Sequence, residues 1–155
     1  MYRTILVPHA VTEAGDEALN HAMFVAKASS ARVLVLHIVE EIHRPSTLGL
    51  SEDQREKLLG SINDANESIK KEAKKELEKK ISDLKADVKS DVRVAVGDAA
   101  EIILDTIEQE NVDLVVMAKR RKLKGVKKLL SLGSVSRKIV ENSPCPILLI
   151  DAEKI

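Results

Sequence analysis

Hydrophobic positions along this chain fall into two kinds of segment that alternate. Short unbroken apolar runs are separated by longer stretches in which apolar residues recur every three or four positions. That alternation predicts parallel strands joined by amphipathic helices. Five runs have strand length: Tyr2 to Val7, stopped by Pro8; Val33 to Val39; Val92 to Val96; Asp113 to Met117; and Ile147 to Ile150. Runs such as Leu114-Val115-Val116-Met117 lack polar alternation, the mark of strands covered on both faces.

Between the runs, Ala18, Leu19, Ala22, Val25 and Ala26 make one face of a helix that Thr12 or Glu13 opens. From about Ser51 to Leu84 the chain is highly charged. Even so, Leu58, Ile62, Ala65, Ile69, Ala73, Leu77, Ile81 and Leu84 keep helical spacing, giving one long amphipathic helix, or two if Gly60 breaks it. A third helix, Ala99 to about Glu110, turns Ile102, Ile103, Leu104 and Ile107 inward. The last begins near Ser134 and does the same with Val135, Ile139 and Val140. With right-handed crossovers this order predicts an α/β fold, a doubly wound parallel sheet. Ligands of such sheets lie beyond the carboxyl ends of the strands, at a topological switch point. The segments to search are Pro8 to Thr12, Ile38 to Leu50, Gly97-Asp98 and Ala118 to Ser136.

Composition narrows the choice of partner. A length of 155 residues suits one domain spanning 1–155, and 25 basic residues balance 25 acidic ones, so no global field favours nucleic acid or an anionic membrane. Tyr2 and Phe24 are the aromatic residues, too few for a base-stacking platform. A single cysteine, Cys145, excludes an intramolecular disulfide. The opening apolar run is too short for a signal peptide, and no stretch approaches the roughly 18 apolar residues of a membrane span. These features predict a soluble cytoplasmic protein. The neutrality is nevertheless a sum of unlike parts: Lys119 to Lys128 holds seven basic residues in ten and no acid, leaving minus seven on the remainder. This positive segment falls where the fold places a ligand. Leu132-Gly133-Ser134-Val135-Ser136 then leads into a helix, with Gly133 permitting close approach, Ser134 or Ser136 able to cap, and free N–H groups able to attract an anion. A capped helix behind a solvated basic loop is the plainer reading of the same residues.

Other residues carry less. His37, His9 and His43 fall on one predicted edge without the ligand spacing of a zinc site, so a hydrogen-bonded structural His37 is expected. His21 reads as a surface helix residue. Cys145, between Pro144 and Pro146, reads as a buried structural thiol without a neighbouring base. The charged face of the long helix reads as solvated, with i,i+4 pairs.

The motifs in order resemble the universal stress protein family. The blocks are Tyr2-Arg3-Thr4-Ile5-Leu6-Val7-Pro8, Leu36-His37-Ile38-Val39, Gly97-Asp98-Ala99-Ala100-Glu101-Ile102-Ile103, Val112-Asp113-Leu114-Val115-Val116-Met117, and Leu132-Gly133-Ser134-Val135-Ser136 followed by Ser143-Pro144-Cys145-Pro146-Ile147-Leu148-Leu149-Ile150. The resemblance implies a five-stranded sheet of order 3-2-1-4-5 with helices on both faces, like that of adenine nucleotide alpha hydrolases. It also implies a homodimer through the last strand (Ile147, Leu148, Leu149, Ile150), a stress-response role and, in one branch, ATP or AMP, with Mg only alongside ATP. That branch carries G-x2-G-x9-G-[S/T] and an Asp soon after the first strand. Here Ala10 stands at the Asp position. Counting back from Gly133 puts Leu123 and Arg120 at the two loop glycines, whereas counting from the strand end puts Ala118 and Arg121 there. The positions carried over for a nucleotide are Pro8, Ile38, Met117, Ala118, Arg121, Gly133, Ser134, Val135 and Ser136; no catalytic residue and no metal ligand is implied. Cβ atoms at the glycine positions close part of a backbone cradle, which basic side chains can partly replace. The leading expectation is a stress-response binding or signalling module with a degenerate nucleotide site, not an enzyme. The alternatives are an ATP/AMP-binding switch or slow ATPase, and a module that binds another anion or polyanion through Lys119 to Lys128.

Overall fold

The computed structural model describes residues 1–40, 45–119 and 133–151. Its elements are β1 (Thr4–Pro8), α1 (Glu13–Ser29), β2 (Arg32–Val39), α2 (Glu52–Asp83), β3 (Ser90–Val96), α3 (Ala99–Gln109), β4 (Leu114–Ala118), α4 (Ser134–Asn142) and β5 (Ile147–Ile150). The five strands are parallel and ordered β3-β2-β1-β4-β5. The expected α/β sheet and its order are therefore both present.

Side-chain alternation along the strands divides the core in two. Ile5 and Val7 of β1, Val33 and Val35 of β2, and Leu114 and Val116 of β4 pack under α1 and the end of α2. Leu6, Leu34, Leu36, Val115 and Met117 point the other way, onto Ile103 and Ile107 of α3 and Ile139 of α4. Helices on both faces explain why the central strands are apolar without alternation. Asp113 fastens the entry to β4 against β1: its Oδ2 accepts the backbone N–H groups of Arg3 at 2.8 Å and Thr4 at 2.9 Å.

Several boundaries and faces differ from expectation. Pro8 does not stop β1 but ends it, in register with Leu36, because the strand's last ladder bond comes from the next residue, His9 N–H to the Leu36 carbonyl at 2.9 Å. Gly60 does not break α2, since it lies on an exposed face where one glycine costs about 1 kcal/mol. Only Ala73 and Leu77 of α2 are buried; Ala65 is exposed and Ile69 and Leu84 are each 39% exposed. Leu84 is the C-cap, at the helix's end. For Ala65 the reason is length. A 32-residue helix runs about 48 Å, whereas strands of this sheet reach at most about 27 Å, so the amino-terminal half of α2 overhangs it. Val140 is 41% exposed rather than inward, because Val135 and Ile139 already fill the face of the short helix α4 that meets the sheet. Among the described residues no helix is long and apolar enough to cross a membrane.

Candidate functional site

Strand order reverses between β1 and β4, and a cavity of about 130 Å³ opens there at the carboxyl edge. Drug-sized ligands occupy roughly 300–1,000 Å³. This cavity therefore suits one ring system, with the rest of a ligand outside it. Its walls are largely apolar: Leu36 and Ile38 from β2, Ile103 from α3, Met117 and Ala118 from β4, and Val135 from α4. Pro8 and His9 lie between them at the end of β1, and Glu40 stands beyond the end of β2.

The amino termini of three helices meet this cavity, through Thr12 and Ala14 for α1, Ala99 for α3, and Val135 and Ser136 for α4. The first N–H groups of a helix lack intrahelical acceptors and carry the positive end of its dipole. Thr12 caps α1 by accepting from Gly15 N–H at 3.2 Å, and Asp98 caps α3 by accepting from Glu101 N–H at 2.9 Å. Helix α4 differs. Its N-cap is Gly133, without a side-chain cap, so neither Ser134 nor Ser136 does the capping expected of it; Ser134 is the first helical residue and Ser136 is buried in the cavity wall. Gly97 supplies the turn into α3 with φ of +144°, and a Cβ there would come within 3.1 Å of Ile102 Cδ1.

His9 is the most constrained side chain of the site. Its side chain is fully buried. Nδ1 accepts the Val11 N–H at 2.9 Å, so the ring proton belongs on Nε2, which donates to Asp16 Oδ1 at 3.0 Å. The other Asp16 oxygen meets Lys80 Nζ of α2 at 2.7 Å, and His37 Nδ1 donates to the His9 carbonyl at 2.7 Å. Burial pushes the His9 pKa below its usual value, aided by the charge of Lys80 and by His37 and opposed by Asp16. The ring also lies directly on the backbone of Gly15: a Cβ there would stand 2.8 Å from His9 Cε1.

Six of the positions marked in the sequence thus come together on the cavity: Pro8, Ile38, Met117, Ala118, Val135 and Ser136. Gly133 and Ser134 stand at the start of α4, outside the lining. Arg121, and the basic segment beyond Lys119, lie outside the described residues, as does His43. Lys119 approaches Asp151 at 3.8 Å. His9, Ala10, Thr12 and Glu40 join the lining from the segments expected to face a ligand, though not named as site residues, and Ala14, Gly15, Leu36, Ala99 and Ile103 join it from outside those segments. A glycine in the first turn of a helix, six residues after a histidine, was the available signal for the His9 packing. Cys145 is half-buried rather than buried, because it lies at the start of the edge strand, where Ser143 Oγ approaches its Sγ at 3.4 Å. His21 is a surface residue, 3.4 Å from Glu17. Among the described residues no three His, Cys, Asp or Glu side chains form a cluster able to hold a metal.

The sequence profile of the universal stress protein family matches residues 1–151. The chain belongs to the universal stress protein family. A universal stress protein of Thermus aquaticus is 33% identical over 150 residues, covering 97% of this chain and 99% of that one. The solved structure of MJ0577, a universal stress protein of Methanocaldococcus jannaschii, superposes with a TM-score of 0.76 at 25% identity, covering 97% of this chain and 96% of that one. A universal stress protein solved in complex with cAMP shares the fold, with a TM-score of 0.60 at 17% identity over 97% of each chain.

Proposed function

We propose that this universal stress protein binds an adenine nucleotide at the carboxyl edge and acts as a homodimeric, cytoplasmic stress-response module rather than as an enzyme. The observation that carries the reading is the joining of an apolar slot to three helix amino termini, one of them without a side-chain cap. An adenine ring fits between Ile38, Ile103 and Met117, and phosphate oxygens can take the open N–H groups at Val135 and Ser136. Gly133 and Ser134 border that phosphate position, and Pro8 and Ala118 close the slot from β1 and β4. Mg²⁺ enters only with ATP, held chiefly by its phosphates.

The cAMP complex of a family relative supports the ligand class. The family match supports the stress-response role. For the dimer, the support is that β5 among the described residues pairs with β4 alone and leaves Leu148 and Leu149 each 37% exposed on an edge strand. A second copy of β5 covers that edge. Sedimentation at micromolar protein is expected to give a dimer, and a monomer there removes this part of the proposal.

Chromatography of the supernatant from boiled protein for ATP, ADP and AMP, followed by calorimetric titration with Mg-ATP and with AMP, tests the ligand. Co-purified nucleotide, or binding heat at millimolar ligand, is expected; neither would sink the reading. Steady ADP release from ATP would replace it with a slow ATPase, and binding that falls steeply with salt without preference for adenine would replace it with a polyanion module.

A further inference from the structure

The turn from β1 into α1 supplies Pro8, His9, Ala10 and Thr12 to the cavity, and it holds an unusual backbone. Val11 has φ of +55°, a left-handed conformation that costs a β-branched residue roughly 1–2 kcal/mol. What offsets this is the Val11 N–H bond to His9 Nδ1, the geometry of an Asx turn with an imidazole as acceptor. The aspartate this family's nucleotide-binding branch places in the turn is Ala10 here, so no side-chain carboxylate at that position can serve instead.

We propose that His9 is a proton-operated latch on the pocket: the neutral ring holds the turn against Val11 in the ligand-competent shape, and a proton arriving on Nδ1 releases it. The proton takes the lone pair that accepts the Val11 N–H, so two donors then face each other across 2.9 Å. The ring cannot retreat, because the Gly15 backbone is packed against it and Asp16 holds Nε2. Relief must come from the turn. The charged and titratable groups facing the ring are Asp16 of α1, Lys80 of α2 and His37 of β2, with Glu76 beside Lys80 at 4.0 Å. Burial disfavours the protonated ring most, Asp16 favours it, and Lys80 and His37 oppose it, so the Asp16–Lys80 pair adjusts a midpoint that burial has already lowered. Helix α2 is thereby coupled to the pocket through Lys80 and Asp16.

The ligand named here rests on the nucleotide reading above, but the latch has its own readout. Ring ¹⁵N shifts of the full-length protein would follow the His9 titration while amide exchange follows Val11. The Val11 amide is expected to lose protection as His9 takes up its proton, with the fold otherwise intact. Asp16→Asn is expected to move the His9 midpoint down, and Lys80→Met to move it up. Cyclic AMP is the binding probe, since it lacks the second phosphate ionisation near about pH 6 that AMP carries. Its affinity is expected to fall about tenfold across the His9 midpoint, the loss of one hydrogen bond. In His9→Asn, which retains an acceptor for the turn and does not titrate, the ratio of affinities at the same two pH values is expected to be near one. A Val11 amide indifferent to His9 protonation overturns the latch, as does a His9 that stays neutral until the protein unfolds, or an equal pH dependence in His9→Asn. Failure of cyclic AMP to bind wild type at any pH overturns the ligand reading and leaves the Val11 measurement to decide the latch.

Discussion

Replacing Gly15 by alanine sets two effects of opposite sign against each other. In an open helix the change stabilises by up to about 1 kcal/mol, because glycine loses more backbone freedom on folding. Gly15 lies in the first turn of α1 with ordinary helical backbone, so no left-handed strain enters the balance. Sterics decide it. The new Cβ would stand 2.8, 2.9 and 3.0 Å from Cε1, Nδ1 and Nε2 of His9, closer than carbon atoms tolerate. A flexible side chain would swing away, but this imidazole is pinned at both nitrogens by Val11 and Asp16. Overpacking of a fixed group costs about 1–3 kcal/mol. The net expectation is a loss of about 1–2 kcal/mol, or about 3–6 °C in melting temperature for a chain of this length. Urea denaturation would read it as a lower midpoint at unchanged m-value. The decisive control is His9→Ser, in whose background Gly15→Ala should become neutral or stabilising, with a coupling of at least about 1 kcal/mol. A stabilised single variant would refute the argument, and equal losses in both backgrounds would show that His9 is not what the methyl meets.

Leu77→Ala, at a fully buried site of α2, is expected to cost about 2–5 kcal/mol, whereas Ile69→Ala, two turns earlier and 39% exposed, should cost less, about 1 kcal/mol; denaturant midpoints compare them, and equal costs would contradict this difference in burial. The Arg3 N–H, and after it that of Thr4, hold the Asp113 carboxyl below the usual carboxylate pKa, so its contribution is present above the unfolded value near about 4 and is lost as pH falls through the folded one. Asp113→Asn should therefore cost about 0.5–1 kcal/mol at neutral pH, allowing for solvent screening, and flatten the acid side of the stability profile; an unchanged profile would count against this tie.

The strands and both core faces were legible because their signal is local: a run such as Leu114 to Met117 admits few placements other than a strand covered on both sides. Their order was legible only through the family resemblance, because a local apolar run does not say which strand it pairs with. The site positions Pro8, Ile38, Met117 and Val135 were carried over from the family resemblance, and they meet at one edge because each stands at a strand end or a helix start. Helix α2 shows the limit. Its apolar period specifies a helix face but not whether a sheet extends far enough to meet it, so Ala65 and Leu77 read alike and are buried differently. His9 shows another. Nothing local distinguishes a loop histidine from one clamped between Val11, Asp16 and Gly15, because the clamp depends on how α1 docks against the end of β1. The metal reading of His9, His37 and His43 weighed ligand spacing, while the first two are joined instead by a ring N–H and a backbone carbonyl.

Amide chemical-shift mapping with cyclic AMP tests the nucleotide pocket most directly. Saturable shifts are expected at Ile38, Ala99, Val135 and Ser136, where the apolar slot meets the starts of α3 and α4. Shifts clustered at the opposite sheet edge, around Arg3, Lys27 and Lys89, or no shifts at millimolar ligand, would contradict it.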